Sequence, residues 1–264
     1  MLLPMTDVAV HVRNADVSWN IFSPDDYRRA NYSKLQAEDQ EIIRLVRGFF
    51  IQAFADRPRA RLGIDVGSGP NLYPALLMLP WTEQILLTDF SASNVRSLRQ
   101  QIADEHAAWN WQPFWQELCD AEGYRQIAEP RKQLRVACAD EPGCAGIEQK
   151  TIFDLPRARW DLGTMFFVAE SITEDQEEFR DAIASFVGAL TPGAPFAAAF
   201  MAGSNGYPVA GTRFPALPIT PDDVTRRFAQ LGVSELRVGL PGTSDRVRDG
   251  YEAMIVATGF AGDR

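Results

Sequence analysis

The chain has 264 residues, and 46% of them are apolar, which suffices for one large α/β domain with a sizeable core. The formal net charge is −9 and the acids are scattered, so neither nucleic acid nor an anionic membrane is an expected partner. Cys119, Cys138 and Cys144 lack the spacing of a zinc or redox site, and only His11 and His106 could assist them. We therefore expect a reduced, metal-free cytoplasmic protein. No apolar run approaches the ~20 residues that span a bilayer, so no membrane anchor is expected.

The apolar pattern predicts alternating helices and strands. An amphipathic helix is predicted over residues 34–55. Runs typical of buried parallel strands follow at 61–66, 84–89, 150–153, 161–168 and 195–201. Further helices are predicted at 71–79, 91–106, 114–139 with a break near Pro130, 174–190, and 221–231 with Thr220 as its cap. This alternation indicates a doubly wound sheet.

The end of the chain departs from that alternation. Residues 235–240 and 251–258 are two strand-like runs, and the segment 241–250 between them is rich in Gly, Asp and Ser. With no helix between them, the two runs are expected to pair antiparallel at one edge. The prediction is therefore an α/β fold with a Rossmann-like, doubly wound, mostly parallel seven-stranded sheet and a C-terminal antiparallel hairpin, all in one domain (1–264).

A glycine turn follows the first predicted strand. Gly67 and Gly69 let the backbone approach a ligand, because a Cβ at either position would block it. Leu72 stands where a dinucleotide fingerprint has Gly or Ala, which disfavours NAD. Asp89 ends the next strand about 20 residues later, where an acid accepts hydrogen bonds from ribose hydroxyls. These features indicate a nucleoside site; the alternative is a simple tight turn, with Asp89 capping the helix 91–106.

Five segments of this chain carry a resemblance to class I S-adenosylmethionine-dependent methyltransferases. They are FSPDDYRRANYSKL (22–35), IDVGSGPNLY (64–73), LLTDFSASNVRSL (86–98), WNWQPFWQELCDAEG (109–123) and RFPALPIT (213–220). More narrowly, the chain resembles the amine methyltransferases that include nicotinamide, phenylethanolamine and indolethylamine N-methyltransferases. The resemblance covers nearly the whole chain. It implies an N-terminal helical lid and helix (1–56), followed by a cofactor-binding core with substrate-pocket insertions (57–264).

At the methionine end of the cofactor S-adenosyl-L-methionine, the resemblance implies that Tyr27 and Tyr32 close over the sulfonium. The residues that would line or shape the turn below are Gly67, Ser68, Gly69, Asn71 and Tyr73. A helix N-terminus favours the methionine carboxylate, and tyrosine rings favour a cation. The alternative for both lid tyrosines is ordinary packing at the edge of the core.

At the nucleoside end, the resemblance implies that Asp89 holds the ribose hydroxyls and that Asn94 adds a ribose contact. Phe90 would lie beside the adenine. Asp154 and Leu155 would bracket the adenine, with Asp154 accepting from its exocyclic amine; the alternative is that Asp154 caps a turn.

The chain departs from the family pattern at two positions. Asn31 stands where family members have a tyrosine, and Phe200 stands where nicotinamide N-methyltransferase has an aspartate. Phe200 predicts a flatter, more apolar ligand face. Glu170 and Tyr32 are the predicted catalytic residues, with Glu170 contacting an amine or indole N–H; the alternative for Glu170 is an acid at a helix start. The rest of the substrate pocket is assigned to Ser204, Asn205 and Tyr207.

The predicted function is methyl transfer from S-adenosyl-L-methionine to a small aromatic amine or indole-like secondary metabolite, with S-adenosyl-L-homocysteine as product. We expect the protein to be a monomer or a weak homodimer. The alternatives are an O- or C-methyltransferase of an aromatic metabolite, a nucleoside or dinucleotide enzyme of another kind, and a catalytically silent cofactor-binding regulator.

Overall fold

The centre of the fold is a seven-stranded sheet, seen in a computed structural model that describes residues 11–103, 110–139, 146–242 and 250–262. Its strands are β1 (Ala60–Val66), β2 (Thr82–Asp89), β3 (Gly146–Gln149), β4 (Leu162–Phe166), β5 (Pro195–Ala202), β8 (Ser234–Gly239) and β9 (Ala253–Phe260). The spatial order is β3-β2-β1-β4-β5-β9-β8, and only β9 runs antiparallel to its neighbours. The predicted sheet and its C-terminal hairpin are confirmed.

Helices cover both faces of this sheet. They are α1 (Pro24–Tyr32), α2 (Ala37–Ala53), α3 (Tyr73–Met78), α4 (Ala92–Ala103), α5 (Gln112–Gln116), α6 (Pro130–Ala137), α7 (Gln176–Ala189) and α8 (Pro221–Gln230). Buried side chains of α2 to α6 form one hydrophobic cluster, and those of α7 and α8 form a second on the opposite face. Among the described residues, no helix combines the length and apolarity that a bilayer span requires.

Side chains of β5 alternate between these two clusters. Met201 belongs to the cluster under α2 to α6, whereas Phe200 belongs to the cluster under α7 and α8. The Phe200 ring centroid lies 6.3 Å from the rings of Phe179 and Phe228. A shift of one residue along β5 therefore moves a side chain from one face of the sheet to the other.

The predicted strand at 150–153 is wrong. The third strand of the sheet ends at Gln149, and residues Ile152–Asp154 form a 3-10 turn instead. The Thr151 side chain caps that turn by accepting from the Phe153 N–H at 3.3 Å. The apolar character of this stretch reflects a buried Ile152 in the turn, not an extended strand.

The helix predicted over 114–139 with a break near Pro130 is correct only in part: a helix does begin at Pro130, but most of the stretch before it is not helical. The structure has α5 and α6 with a turn-rich segment between them, in which Gly123 adopts a φ of +81°. Both short helices have a proline in their first turn, a position where proline is favoured because its missing N–H would be unpaired there anyway.

An unpredicted two-stranded hairpin also forms, from β6 (Tyr207–Val209) and β7 (Thr212–Phe214). His106 and Cys144 lie outside the described residues.

Candidate functional site

A main cleft, with about 750 Å³ of empty space including its mouth, opens at the carboxyl ends of β1, β2 and β4. The strand order reverses between β1 and β4, which is where open α/β sheets bind ligands. Ten residues that the sequence predicted for the site line this cleft: Tyr27, Tyr32, Gly67, Ser68, Gly69, Asn71, Asp89, Phe90, Asn94 and Tyr207.

The glycine turn after β1 forms the floor of the main cleft. Gly67 and Gly69 have φ values of +65° and +58°, which side chains disfavour. A Cβ on Gly67 would lie 2.6 Å from the Val168 side chain, whereas a Cβ on Gly69 would meet no atom within 4 Å. Gly67 is therefore needed for packing, and Gly69 leaves open space beside the cleft.

Asp89 organises the side of the cleft next to this turn. Its Oδ2 accepts from the Gly69 N–H at 2.8 Å, and its Oδ1 accepts from the Ser91 N–H at 2.8 Å and from Asn94 Nδ2 at 3.1 Å. Burial raises the pKa of Asp89 above its ordinary value, against the effect of these donors. Asn94 Oδ1 is buried without a hydrogen-bond partner among the described residues. The Asp89 carboxylate and Asn94 Oδ1 together offer hydrogen-bond acceptors that suit two vicinal hydroxyl groups.

Asp65 lies behind the turn and was not singled out by sequence reasoning. Its Oδ1 accepts from Thr164 Oγ1 at 2.7 Å, and its Oδ2 is buried without a partner among the described residues. Burial raises the pKa of Asp65 to about 7. Its carbonyl oxygen also accepts from Ser68 Oγ at 3.2 Å, which ties the turn to the end of β1. The acid at the end of an apolar run was the signal that could have identified it.

Aromatic side chains form the roof of the cleft. Tyr27 and Tyr32 pack edge to face at 6.0 Å, and the Tyr32 hydroxyl accepts from Asn71 Nδ2 at 3.2 Å. Trp19 and Phe22 also line the cleft, although sequence reasoning missed both.

The segment that carries Trp19 and Phe22 is tied to the β2–α4 loop and to the first turn of α4. Ser91 Oγ donates to the Trp19 carbonyl at 3.0 Å, and Ser93 Oγ donates to the Phe22 carbonyl at 2.9 Å. The N-terminal segment is thereby held over the cleft next to Asp89.

The predicted adenine residues Asp154 and Leu155 do not line the cleft. Asp154 is exposed and Leu155 is buried in the cluster under α7 and α8. Because β3 ends at Gln149, the residues that follow it directly reach the cleft instead: Lys150, Thr151 and Ile152. The strand thus ends at Gln149 and not at residue 153 as the sequence predicted.

Tyr73 lies behind the cleft and is not one of the residues that line it. It is fully buried, its ring stacks on Phe114 at 5.4 Å, and its hydroxyl donates to Asp39 Oδ1 at 3.3 Å. Its backbone N–H donates to Asn71 Oδ1 at 3.0 Å. Tyr73 thus supports a cleft residue from behind.

A second cavity adjoins the main cleft and shares two of its wall residues, Tyr27 and Tyr207. The other side chains around it include Asn31, Met201, Ser204 and Tyr251. Phe200, predicted to form a ligand face, is absent from both cavities because strand alternation turns it to the opposite side of the sheet. Its neighbour Met201 occupies the wall position instead, and exposed Asn205 lines neither cavity.

Glu170 is not among the residues that line either cavity. Its Oε1 accepts from the Met201 N–H at 2.9 Å and from Ser171 Oγ at 3.1 Å, while its Oε2 is buried without a partner among the described residues. Burial raises the pKa of Glu170 to about 7. The Tyr207 hydroxyl donates to the Ser171 carbonyl at 3.2 Å. Glu170 thus joins walls of both cavities without facing either.

Solved structures of methyltransferases share this fold. Magnesium protoporphyrin IX methyltransferase from Synechocystis, solved with bound S-adenosylmethionine, superposes with a TM-score of 0.56 at 15% identity over 91% of this chain and 92% of that chain. An N-methyltransferase from Bradyrhizobium japonicum, solved with S-adenosylhomocysteine, gives 0.53 at 12% identity over 92% of this chain and 100% of that chain. The chain therefore has the fold of the class I S-adenosylmethionine-dependent methyltransferases.

Sequence comparison identifies the family to which the chain belongs. The model of the NNMT/PNMT/TEMT family matches residues 11–251. Human nicotinamide N-methyltransferase is 26% identical over 80% of this chain and 81% of its own length, and mouse indolethylamine N-methyltransferase is 24% identical over 82% and 83%. The chain belongs to the NNMT/PNMT/TEMT family, whose methyl donor is S-adenosyl-L-methionine.

Proposed function

We propose that this methyltransferase methylates a small aromatic amine or an indole-like compound bound in the second cavity. The observation that carries the proposal is that the second cavity and the main cleft share Tyr27 and Tyr207. A donor in the main cleft and an acceptor in the second cavity would meet at this shared wall. The names of the similar nicotinamide and indolethylamine N-methyltransferases support a small nitrogen compound as acceptor.

The main cleft suits S-adenosyl-L-methionine, which supplies an electrophilic methyl group on a sulfonium. Open space at Gly69 and the unpaired, buried Asn94 Oδ1 are two features that a ribosyl ligand would use. We assign the ribose to Asp89 and Asn94, and the adenine to Phe90 and the residues 150–152. The turn with Gly67, Ser68 and Asn71 is assigned to the methionine end.

The protein's own contribution is to position the reactants and exclude water. Tyr27 and Tyr32 cover the cleft, and their ring faces favour a cation by roughly 0.5–2 kcal/mol per contact. Holding two reactants in one geometry removes much of the entropy cost of their meeting. Glu170 serves as a positioning residue, because it joins the end of β5 to the segment after β4.

The test uses purified protein, radiolabelled S-adenosylmethionine and a panel of arylalkylamines, indoles, phenols and pyridines. We expect labelled product from the aromatic amines or indoles, with the methylated atom identified by NMR. Calorimetry with S-adenosylhomocysteine is run in parallel. Methylation of a phenol oxygen or of an indole carbon would instead favour the O- or C-methyltransferase. Cofactor binding without product from any class would refute the proposed substrate class and favour the silent regulator.

We also propose that residues 1–264 form one methyltransferase domain, with 1–56 as lid and helix. A cytoplasmic monomer or weak homodimer remains our prediction for its cellular form. Sedimentation analysis between about 1 and 100 μM, where weak dimers dissociate, measures the oligomeric state.

A further inference from the structure

Asn14, in the N-terminal segment, lines the main cleft and is buried, with 8% of its surface exposed. Its two side-chain amide atoms form no hydrogen bond with the described residues, and neither atom is fully enclosed, unlike the unpaired Asn94 Oδ1. The amide therefore borders the open space of the cleft. A buried amide of this kind needs a hydrogen-bond partner, and a ligand in the cleft can provide one.

The backbone of Asn14, and not its side chain, holds the residue in place. Its N–H donates to Glu178 Oε2 at 2.8 Å, and its carbonyl accepts from Trp19 Nε1 at 3.1 Å. Trp19 is in turn tied to the β2–α4 loop through Ser91. The N-terminal segment thus crosses the cleft from α7 to the loop that carries Phe90, and the Asn14 amide remains available to a ligand.

Helix α7 also holds the residues proposed for one side of the adenine. Ser185 Oγ donates to the Ile152 carbonyl at 2.5 Å, so the end of the stretch 150–152 is fixed to the same helix that anchors Asn14. Asn14, Phe90 and the residues 150–152 all line the main cleft. The Asn14 amide therefore belongs to the part of the cleft to which we assign the adenine.

The exocyclic amine of an adenine is a hydrogen-bond donor and needs an acceptor. The sequence assigned this role to Asp154, which is exposed and does not line the cleft. Lys150 does line the cleft, but its ammonium group is a donor only. An asparagine amide presents an acceptor oxygen beside an NH₂ donor, which is the pattern that pairs with an adenine edge. Asn14 can thus supply the acceptor that neither Asp154 nor Lys150 provides.

Resting on the proposed function, we propose that Asn14 binds the adenine of the methyl donor, with Oδ1 accepting from the exocyclic amine and Nδ2 donating to a ring nitrogen. The N-terminal segment then does more than cover the cleft, because it recognises the base of the cofactor directly. A purine without the amine would lose the bond to Oδ1 and bind more weakly.

The analogue of S-adenosylhomocysteine in which hydrogen replaces the exocyclic amine tests this inference. Calorimetry on the full chain measures the Kd of each ligand. We expect wild type to bind S-adenosylhomocysteine about three- to tenfold more tightly than the analogue, as one neutral hydrogen bond allows. Equal affinities would overturn the inference, whereas absence of binding by either ligand would instead contradict the proposed function.

Variants at Asn14 separate this contact from the rest of the cleft. Asn14→Ala should remove most of the preference for S-adenosylhomocysteine, whereas Asn14→Asp should keep it, because a carboxylate oxygen still accepts from the amine. Both variants are expected to fold, since the bonds to Glu178 and Trp19 come from the backbone of this residue. An Asn14→Ala protein that weakens both ligands equally, or neither, would overturn the inference, as would loss of the preference in Asn14→Asp.

Asn20→Ala is the matched control from the same segment. Asn20 Oδ1 accepts from the Ala92 N–H at 3.2 Å, but Asn20 is exposed and lines neither cavity. Its replacement removes a tie that holds the segment, so both ligands are expected to bind somewhat more weakly while the ratio of their affinities stays as in wild type. A ratio that falls as far as in Asn14→Ala would assign the preference to the position of the segment and overturn the role of the amide.

Discussion

Replacing Asp89 with asparagine tests how the protein holds the cofactor. The aspartate accepts three hydrogen bonds, from the Gly69 and Ser91 N–H groups and from Asn94. Asparagine keeps the size of the side chain but replaces one acceptor oxygen with an NH₂ donor and removes the charge. It therefore opposes a donor to a donor within the turn and weakens the acceptor proposed for the ribose.

The expected magnitude follows from the number and kind of bonds. A hydrogen bond to a charged group contributes about 1.5–3 kcal/mol, and each 1.4 kcal/mol is a factor of ten in Kd. Loss of one such bond to the ribose predicts a Kd for S-adenosylhomocysteine that is about 10- to 150-fold higher. The mispaired donor in the turn is expected to lower Tm by a few degrees as well.

Calorimetric titration with S-adenosylhomocysteine measures this change, and circular dichroism confirms that the variant is folded. The control is Asp161→Asn, because Asp161 accepts from the Leu62 N–H and from Thr191 Oγ1 but lines neither cavity. A folded Asp89→Asn protein whose Kd stays within threefold of wild type would refute the assignment of the ribose to Asp89.

Three further experiments, with four variants, test other parts of the site. Gly67→Ala should destabilise the fold by about 2–4 kcal/mol in urea unfolding, because its Cβ would clash with Val168 and its φ of +65° disfavours a side chain; an unchanged unfolding midpoint would contradict this. Met201→Asp should shift acceptor preference toward cationic amines with little change in S-adenosylhomocysteine affinity, whereas Phe200→Asp should fail to fold because it buries a charge between aromatic rings; if Phe200→Asp folds and changes substrate preference, the assigned faces are wrong. Glu170→Gln removes a group whose pKa is raised to about 7 from 4.5, so the native state holds a proton that the unfolded chain releases between those pH values. The stability due to this proton is full below pH 4.5 and is lost as the pH rises to 7, so wild type should lose on the order of 3 kcal/mol relative to the variant across that range; parallel stability curves from pH 4.5 to 8 would refute it.

Much of the lining of the main cleft could be predicted from the sequence because it is local. Gly67, Ser68 and Asn71 belong to one turn, and Asp89 ends the adjacent parallel strand. A strand followed by a glycine turn constrains where such residues lie, whatever the rest of the chain does. These residues line the predicted cleft for that reason.

Assignments that needed an accurate strand boundary or register differ from the residues that line the two cavities. Asp154 was displaced because β3 ends at Gln149, which brings Lys150 to the cleft. Phe200 points to the face covered by α7 and α8, because neighbouring side chains of a strand alternate between the two faces of the sheet. Met201, the next residue, lies on the face of the second cavity instead. Apolar periodicity predicts that a strand exists more reliably than where its last residue lies.

The second cavity could be predicted only in part from the sequence: Ser204 and Tyr207 line it, but its other walls come from distant segments joined by side-chain hydrogen bonds. Glu170 reaches Met201 across 31 residues, and Tyr251 reaches Glu38 across 213. None of these bonds leaves a periodic pattern, since each partner occupies an ordinary position in its own element. The cofactor turn is independent of them, so substitutions at these walls can change the acceptor while the turn that serves the methyl donor stays intact. A shared glycine turn therefore predicts the donor of a methyltransferase, whereas the acceptor has to be inferred from walls such as Met201 and Tyr251.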